Sequence, residues 1–475
     1  MALIPVCAGV FIAAGDQTVI VTILPQIMLD MKLNVIRDVN LASWTITGYL
    51  LGFVAAMPLI GKISDVWGHR RVFILSTALF MIFSVAVALT TQISWLIAMR
   101  VFQALGAGAL IPISIAIVGD LFPPERRGIP LGIVGGAAEA GGVIGPLWGG
   151  IMIRYLDWQW VFWINVPLGA GVILLLVYFL KPSPRYPGKI DYIGGALIAV
   201  AIATLTLGLA RIDSLDPLMV AYLVISAISL ALFIARQKVT FSPLVPLVMF
   251  RSWAFSAANV THLFVGGALI IGMVTIPLMS NTAMGLSPLE GGLRLMRLTA
   301  AIPIGAVLGG IACQRLDYRV PTILGLALSA LGFWFMSQWD LQIADPLMTL
   351  HLATTGLGFG LIIAPIALAA TNSVEEGARG TAASLITAMR MIGMTLGLAA
   401  LSAWGAGRFQ DLVANIELFP MEGETVLQAQ QRFGNQVTDA GFNLFNNFFL
   451  IAMSLCLLAI IPAALMVWKR DREQP

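Results

Sequence analysis

Four ionisable residues stand inside otherwise apolar stretches: Asp16, Arg100, Glu139 and Arg390. A charge near the centre of a bilayer costs about 2.5–3.5 kcal/mol on insertion scales, so such groups face a cavity or a partner and mark function. Asp16 falls near the middle of the first apolar stretch and Glu139 near the middle of the fifth. Arg390 lies about ten residues into the thirteenth, roughly mid-depth at about 1.5 Å per residue, and Arg100 about a turn and a half inside the outer end of the fourth. Two acids and two bases permit mutual neutralisation. They also permit proton exchange: burial raises a carboxyl pKa and a neighbouring guanidinium lowers it, so moving Arg390 toward or away from a carboxylate carries that group across physiological pH. Asp16 and Glu139 are expected to face one central cavity and titrate as a coupled pair, with Arg390 paired to one of them. The structural alternative is a static network that fixes helix packing, and for Arg100 a long side chain that snorkels to the interface.

Positioning such groups takes a scaffold that crosses a membrane repeatedly. Of 475 residues, 59% are hydrophobic and 11% charged, where a soluble domain carries about 25% charge. Stretches long enough for a hydrocarbon core of about 30 Å recur near 3–27, 40–61, 71–90, 95–118, 130–153, 160–180, 191–211, 217–236, 255–281, 289–313, 320–338, 346–371, 380–407 and 440–468. The expected fold class is therefore all-α and polytopic, with fourteen spans. The first stretch begins at once, with no Lys or Arg ahead of it and no small-residue cleavage site, and reads as a span rather than a signal peptide. An even count puts both termini on one side. Seventeen of the 27 basic residues fall on that side, among them Lys62, Arg126, Arg127, Arg315, Arg319 and Arg379, against six on the other and four within spans. Such an excess marks the cytoplasm.

Between the second and third spans runs Gly61-Lys62-Ile63-Ser64-Asp65-Val66-Trp67-Gly68-His69-Arg70-Arg71. Gly61 and Gly68 suit a tight turn, Asp65 can face a helix N-terminus, and Arg70 and Arg71 hold the basic side. Residues 310–319 (GIACQRLDYR) occupy the matching place after the tenth span, a weak echo with Gln314 and Asp317 where Asp65 and Gly68 stand. The repeat divides the chain into six-span halves, 1–180 and 251–475, around a linker, 181–250, holding two extra spans. Parallel halves about a midplane site are one arrangement of secondary transporters. In the fifth span, just after Glu139, Gly141, Gly142, Gly145, Gly149 and Gly150 let helices approach closely, and Pro146 removes a backbone bond. Beyond the thirteenth span, Phe409, Leu412, Val413 and Ile416 keep a helical spacing up to Pro420 and MEGE, and a second helical stretch starts near Thr425. Continuous helices of roughly 40 residues reach about 60 Å, beyond a bilayer of about 45 Å, so a hairpin over about 408–440 is expected to project on the external side.

Other chemistries find no support. Cys7, Cys313 and Cys456 lie in apolar stretches and read as buried residues, with no disulfide or metal site. His69, His262 and His351 stand singly, without the i, i+4 pairing of a helix-borne zinc site, and read as loop or packed histidines. Glu290 and Arg294, with Arg297 following, are spaced for a surface pair at the membrane margin. No clustered nucleophile, base or metal set points to an enzyme, and no P-loop points to ATP. A net charge of +3 without a long basic run excludes a nucleic-acid partner.

The Gly61–Arg71 segment resembles the loop signature of the major facilitator superfamily. Asp16-Gln17-Thr18 with Pro25, and Arg100, Gln103, Gly106 and Gly108, resemble the first- and fourth-span motifs of its fourteen-span drug:proton antiporters; Gly141 to Gly150 resembles their antiporter motif. Glu139 before that motif, together with Asp16, Arg390 and the long final hairpin, is similar to mycobacterial exporters of triacylglycerides and other lipids. The resemblance implies two six-helix bundles plus two linker helices, a gating role for Gly61, Asp65, Gly68, Arg70 and Arg71, and proton coupling through Asp16, Glu139, Arg390 and Arg100. It implies a monomer in a bacterial inner membrane, both termini cytoplasmic, with no cofactor and the proton gradient as energy source. The main expectation is a proton-coupled exporter of drugs or other amphipathic compounds through an apolar, aromatic- and Met-bearing cavity. A lipid exporter of the same fold is the alternative, and a nutrient importer is the weaker third reading.

Overall fold

Backbone groups in hydrocarbon must be satisfied within their own segment, so each apolar run folds as a helix. The computed structural model describes residues 2–33, 39–212, 216–341, 343–414, 416 and 424–466. The first bundle is built from α1 (Leu3–Asp30), α2 (Val39–Trp67), α3 (His69–Ala88), α4 (Ile93–Leu121), α5 (Gly128–Tyr155), α6 (Trp160–Trp163) and α7 (Asn165–Phe179), the last two forming one interrupted span. Next come α8 (Tyr192–Leu209) and α9 (Pro217–Val239), paired with each other and leaning through α8 on α2. The second bundle comprises α10 (Trp253–Thr282), α11 (Pro288–Ala312), α12 (Arg319–Met336), α13 (Leu347–Asn372), α14 (Arg379–Val413) and α15 (Val426–Ala464). Fourteen spans are thus long and apolar enough to cross a membrane among the described residues, and no strand occurs among them.

Local signals set the helix starts. Asp191, Asp216 and Ser252 cap α8, α9 and α10 by accepting from Gly194, Met219 and Phe255 backbone N–H groups. Ser287 with Glu290, and Thr425 with Gln428, form capping boxes at α11 and α15. Glu290 therefore turns its carboxylate back to the Ser287 backbone N–H, 2.8 Å away, and hydroxyl, 2.7 Å away, instead of hydrogen-bonding Arg294 as its spacing predicts. The orphan donor of the helix start lies closer than the guanidinium one turn on.

The bundles meet along α5 and α11 and along α2 and α14. These seams run toward the end of the molecule carrying Arg70, Arg71, Arg126, Arg127 and Arg379, the basic end. A methyl group on Gly128 would fall 2.4 Å from the Gly310 carbonyl oxygen, one on Gly132 2.3 Å from that of Ala306, and one on Gly61 2.7 Å from that of Gly380. Backbone thus lies on backbone and the basic end is closed between the halves. Farther along α5 the glycines turn to α1: Gly141 meets the Phe11 carbonyl and Gly145 that of Gly15. The fifth-span glycines therefore pack the first bundle internally. Pro146 lacks an N–H, which frees the carbonyl of Gly142, and the Thr18 hydroxyl donates to it at 3.0 Å.

Helices α14 and α15 have 35 and 39 residues, lengths of about 52 and 58 Å. The tip between them, including 417–423, lies outside the described residues. At their base, α10, α14 and α15 enclose an apolar cavity of about 460 Å³ lined by Leu278, Leu398, Leu401, Phe409, Phe445 and Phe448 among others.

Candidate functional site

Where the α5–α11 seam ends, a cavity of about 170 Å³ opens between the bundles. Its wall is aliphatic and thioether: Ile111 and Ile115 from α4, Val134 and Ala138 from α5, Met273 from α10, Ile302 from α11, Ile363 from α13, Met391 and Met394 from α14. Gln17, Thr18, Glu139, His262, Thr299, Thr387 and Arg390 supply its polar groups. Glu139 and Arg390 meet across it, Oε1 to Nη1 at 2.6 Å, with 18% and 17% of their side chains exposed. One carboxylate from the first bundle is thus paired with one guanidinium from the second. Among the described residues no Phe, Tyr or Trp lines the cavity, which corrects the aromatic-bearing wall expected from sequence. Rings are used instead inside the bundles, as where Phe333 packs against Phe359 and Phe449.

Asp16 does not join this cavity. Helix α1 turns Ala14, Gln17 and Thr18 toward it, and Asp16 stands about 200° round the helix from both Ala14 and Thr18. Its carboxylate points into the first bundle: Oδ2 accepts from Arg100 Nη1 at 2.6 Å, and Oδ1 from Asn165 Nδ2 at 2.9 Å and Gln103 Nε2 at 3.3 Å. The Arg100 guanidinium lies 4.0 Å over the Tyr49 ring. Side-chain exposure is 0% for Arg100 and 1% for Asp16. One expectation is corrected here: the two acids do not share a cavity. The alternative considered for Arg100, snorkelling to the interface, is not what its buried side chain does. Asn165, Tyr49 and Ser84, which accepts from Gln103 and Asn165, went unread in the sequence. A neutral polar side chain inside a span, as at Asn165, is the signal that points to them.

At the basic end Asp65 bridges the halves. Its Oδ1 accepts from the Gly380 backbone N–H at 2.7 Å, and its Oδ2 from the Thr381 backbone N–H at 3.0 Å and hydroxyl at 2.7 Å. An α2 carboxylate thus sits on the positive end of α14. His69 is fully buried between Asp65 and Asp120, with ring nitrogens 3.1 and 2.7 Å from their oxygens. Gly68 holds φ +91°, a conformation that favours glycine. Arg70 donates to the Val177 carbonyl at 2.9 Å, and Arg71 is exposed.

Two six-span helical bundles, closed on each other at one end and joined by an ion pair across the cavity between them, are the architecture of a membrane transporter. The Major Facilitator Superfamily profile matches residues 6–398, and the chain belongs to that superfamily, whose members are membrane transporters. It is 33% identical to a triacylglyceride transporter of Mycolicibacterium hassiacum over 98% of this chain and 91% of that protein. It is 31% identical to a triacylglyceride transporter of Mycobacterium tuberculosis over 98% and 96%. Among solved structures, the human organic anion transporter superposes with a TM-score of 0.63 at 16% identity, covering 96% of this chain and 98% of that one. A proton:xylose symporter gives 0.62 at 14% identity, covering 95% and 94%. At those identities the structures share the fold alone.

Proposed function

We propose that this protein exports a neutral, triacylglyceride-like lipid by alternating access, driven by protons that act on the Glu139–Arg390 pair. The observation that carries the substrate class is the cavity wall. Aliphatic and Met side chains, with no Phe, Tyr or Trp among the described residues, suit acyl chains, whereas a planar cationic drug draws on aromatic faces. The mycobacterial relatives named as triacylglyceride transporters agree with it. This favours the lipid alternative over the drug exporter.

At about 170 Å³ the cavity is smaller than the roughly 300–1,000 Å³ of ordinary ligand pockets. It accommodates the glycerol region, while the acyl chains extend into the bilayer or between helices. The basic end is read as cytoplasmic and this state as closed to the cytoplasm. A proton reaching Glu139 converts carboxylate to carboxylic acid and dissolves the charge attraction to Arg390, so the halves can part. Loss of that proton restores the pair. The α2 carboxylate of Asp65, bound to the first turn of α14, and the glycine seam hold the cytoplasmic end until then. The protein acts as a monomer in a bacterial inner membrane.

Reconstitution into proteoliposomes with an imposed pH gradient tests this, offering in parallel a triacylglycerol with a fluorescent acyl chain and a cationic dye. Gradient-dependent movement of the lipid alone is expected. Movement of the dye alone would return the reading to a drug antiporter.

A further inference from the structure

The central cavity holds a third protonatable group. His262, on α10, lines it together with Glu139 and Arg390. Its Nδ1 lies 2.8 Å from the Ile386 carbonyl oxygen. A carbonyl only accepts, so Nδ1 carries the hydrogen. In the neutral ring Nε2 is then the lone-pair nitrogen, and it takes no hydrogen bond among the described residues.

His262 is also fixed to the bundle that carries Arg390. Ile386 stands one turn before Arg390 on α14. A methyl group on Gly266 would fall 2.1 Å from the Arg390 carbonyl oxygen, and one on Gly393 2.0 Å from that of Leu263. Helices α10 and α14 therefore lie backbone to backbone at this level, and His262 and Arg390 move as one body while Glu139 rides on the other bundle. The charged groups that line the cavity with the imidazole are Arg390 from α14 and Glu139 from α5. Helix α1 offers Gln17 and Thr18, α11 offers Thr299, and α4 and α13 offer only aliphatic side chains at the cavity. Helix α15, packed behind α10, has no charged residue from Phe442 to Ala464, Cys456 being its titratable group there.

We infer that His262 is the proton carrier of the Glu139–Arg390 site. Nε2 takes a proton from cavity water, giving an imidazolium, and releases it through further cavity water to a Glu139 carboxylate oxygen, giving a carboxylic acid and regenerating the neutral ring. The nearby Arg390 charge makes the imidazolium short-lived, so the ring transfers the proton and does not store it. Nothing is consumed beyond the proton that crosses. This inference rests on the proton-coupled reading above.

The test is transport of the fluorescent triacylglycerol under an imposed pH gradient, with proton flux followed by an entrapped pH dye, for wild type, His262→Gln and His262→Ala. Glutamine keeps an N–H for the Ile386 carbonyl but binds no proton. The inference expects His262→Gln to slow proton flux by about tenfold or more while leaving lipid exchange at equal pH near wild type. A His262→Gln proton flux equal to wild type overturns it. If both variants lose gradient-driven transport outright, exchange of the fluorescent lipid at equal pH on the two sides decides: exchange retained while gradient-driven flux is lost supports the carrier, and loss of both sinks it. If wild-type transport ignores the pH gradient, the proton-coupled reading itself fails and takes this inference with it; a failure confined to the variants leaves that reading standing.

Discussion

Two arginine–carboxylate pairs of the same chemistry occupy two different kinds of place. Asp16–Arg100 lies within one bundle, its side chains 1% and 0% exposed, with Asn165, Gln103 and the Tyr49 ring around it. Glu139–Arg390 lies between bundles, with nearly a fifth of each side chain open to a cavity. The first pair joins α1 to α4 within one bundle, beside a separate pocket of about 190 Å³ that Asp16 and Asn165 line. The second joins the two bundles across the central cavity. Under the alternating-access reading proposed above, equal N–O distances of 2.6 Å carry opposite meanings, and position relative to the boundary between the bundles decides which.

That contrast can be broken in three ways. The largest effect is expected at the boundary itself. Gly132→Val places a side chain where a methyl already falls 2.3 Å from the Ala306 carbonyl oxygen, so the basic end cannot close and transport drops to background. Spin-label distances between α5 and α11 should lengthen at the basic end; unchanged distances would mean the seam does not govern closure. Next comes Glu139→Gln, expected to reduce gradient-driven transport by at least about a hundredfold with the protein inserted and its melting temperature near wild type, since cavity water can solvate Arg390. Retained transport at full expression would remove Glu139 from the coupling. The smallest functional effect is expected from Asp16→Asn, which acts through stability: it strands a buried guanidinium, at a cost of about 3–5 kcal/mol, and transport falls only in step with the folded fraction. If this variant instead keeps its melting temperature and loses proton-driven transport, Asp16 is itself a coupling residue and the contrast collapses.

The span pattern was legible because each crossing needs about 20 apolar residues, and helices such as α10 and α13 fall within a few residues of their apolar runs. Helix α2 runs on to Trp67, past the apolar run, because Asp65 finds its partners on α14. Arg390 was placed at mid-depth from its count into the span, which is why its pairing with one of the two acids could be expected. The direction of Asp16 was also available, since Ala14, Gln17 and Thr18 share a face that excludes it, but only once that face is known to line the cavity. His262 was illegible. A lone histidine in an apolar helix says nothing of its neighbours, and Arg390 lies 128 positions away in the chain.

The aliphatic lining of the cavity also makes it dark. The chain has 12 tryptophans, and none of those among the described residues lines it. An acyl chain bound there, as proposed, would leave the ultraviolet emission of those tryptophans nearly unchanged. A single indole introduced at Ile115, in a background where surface tryptophans are replaced by phenylalanine, would turn the same cavity into an optical probe of its own filling.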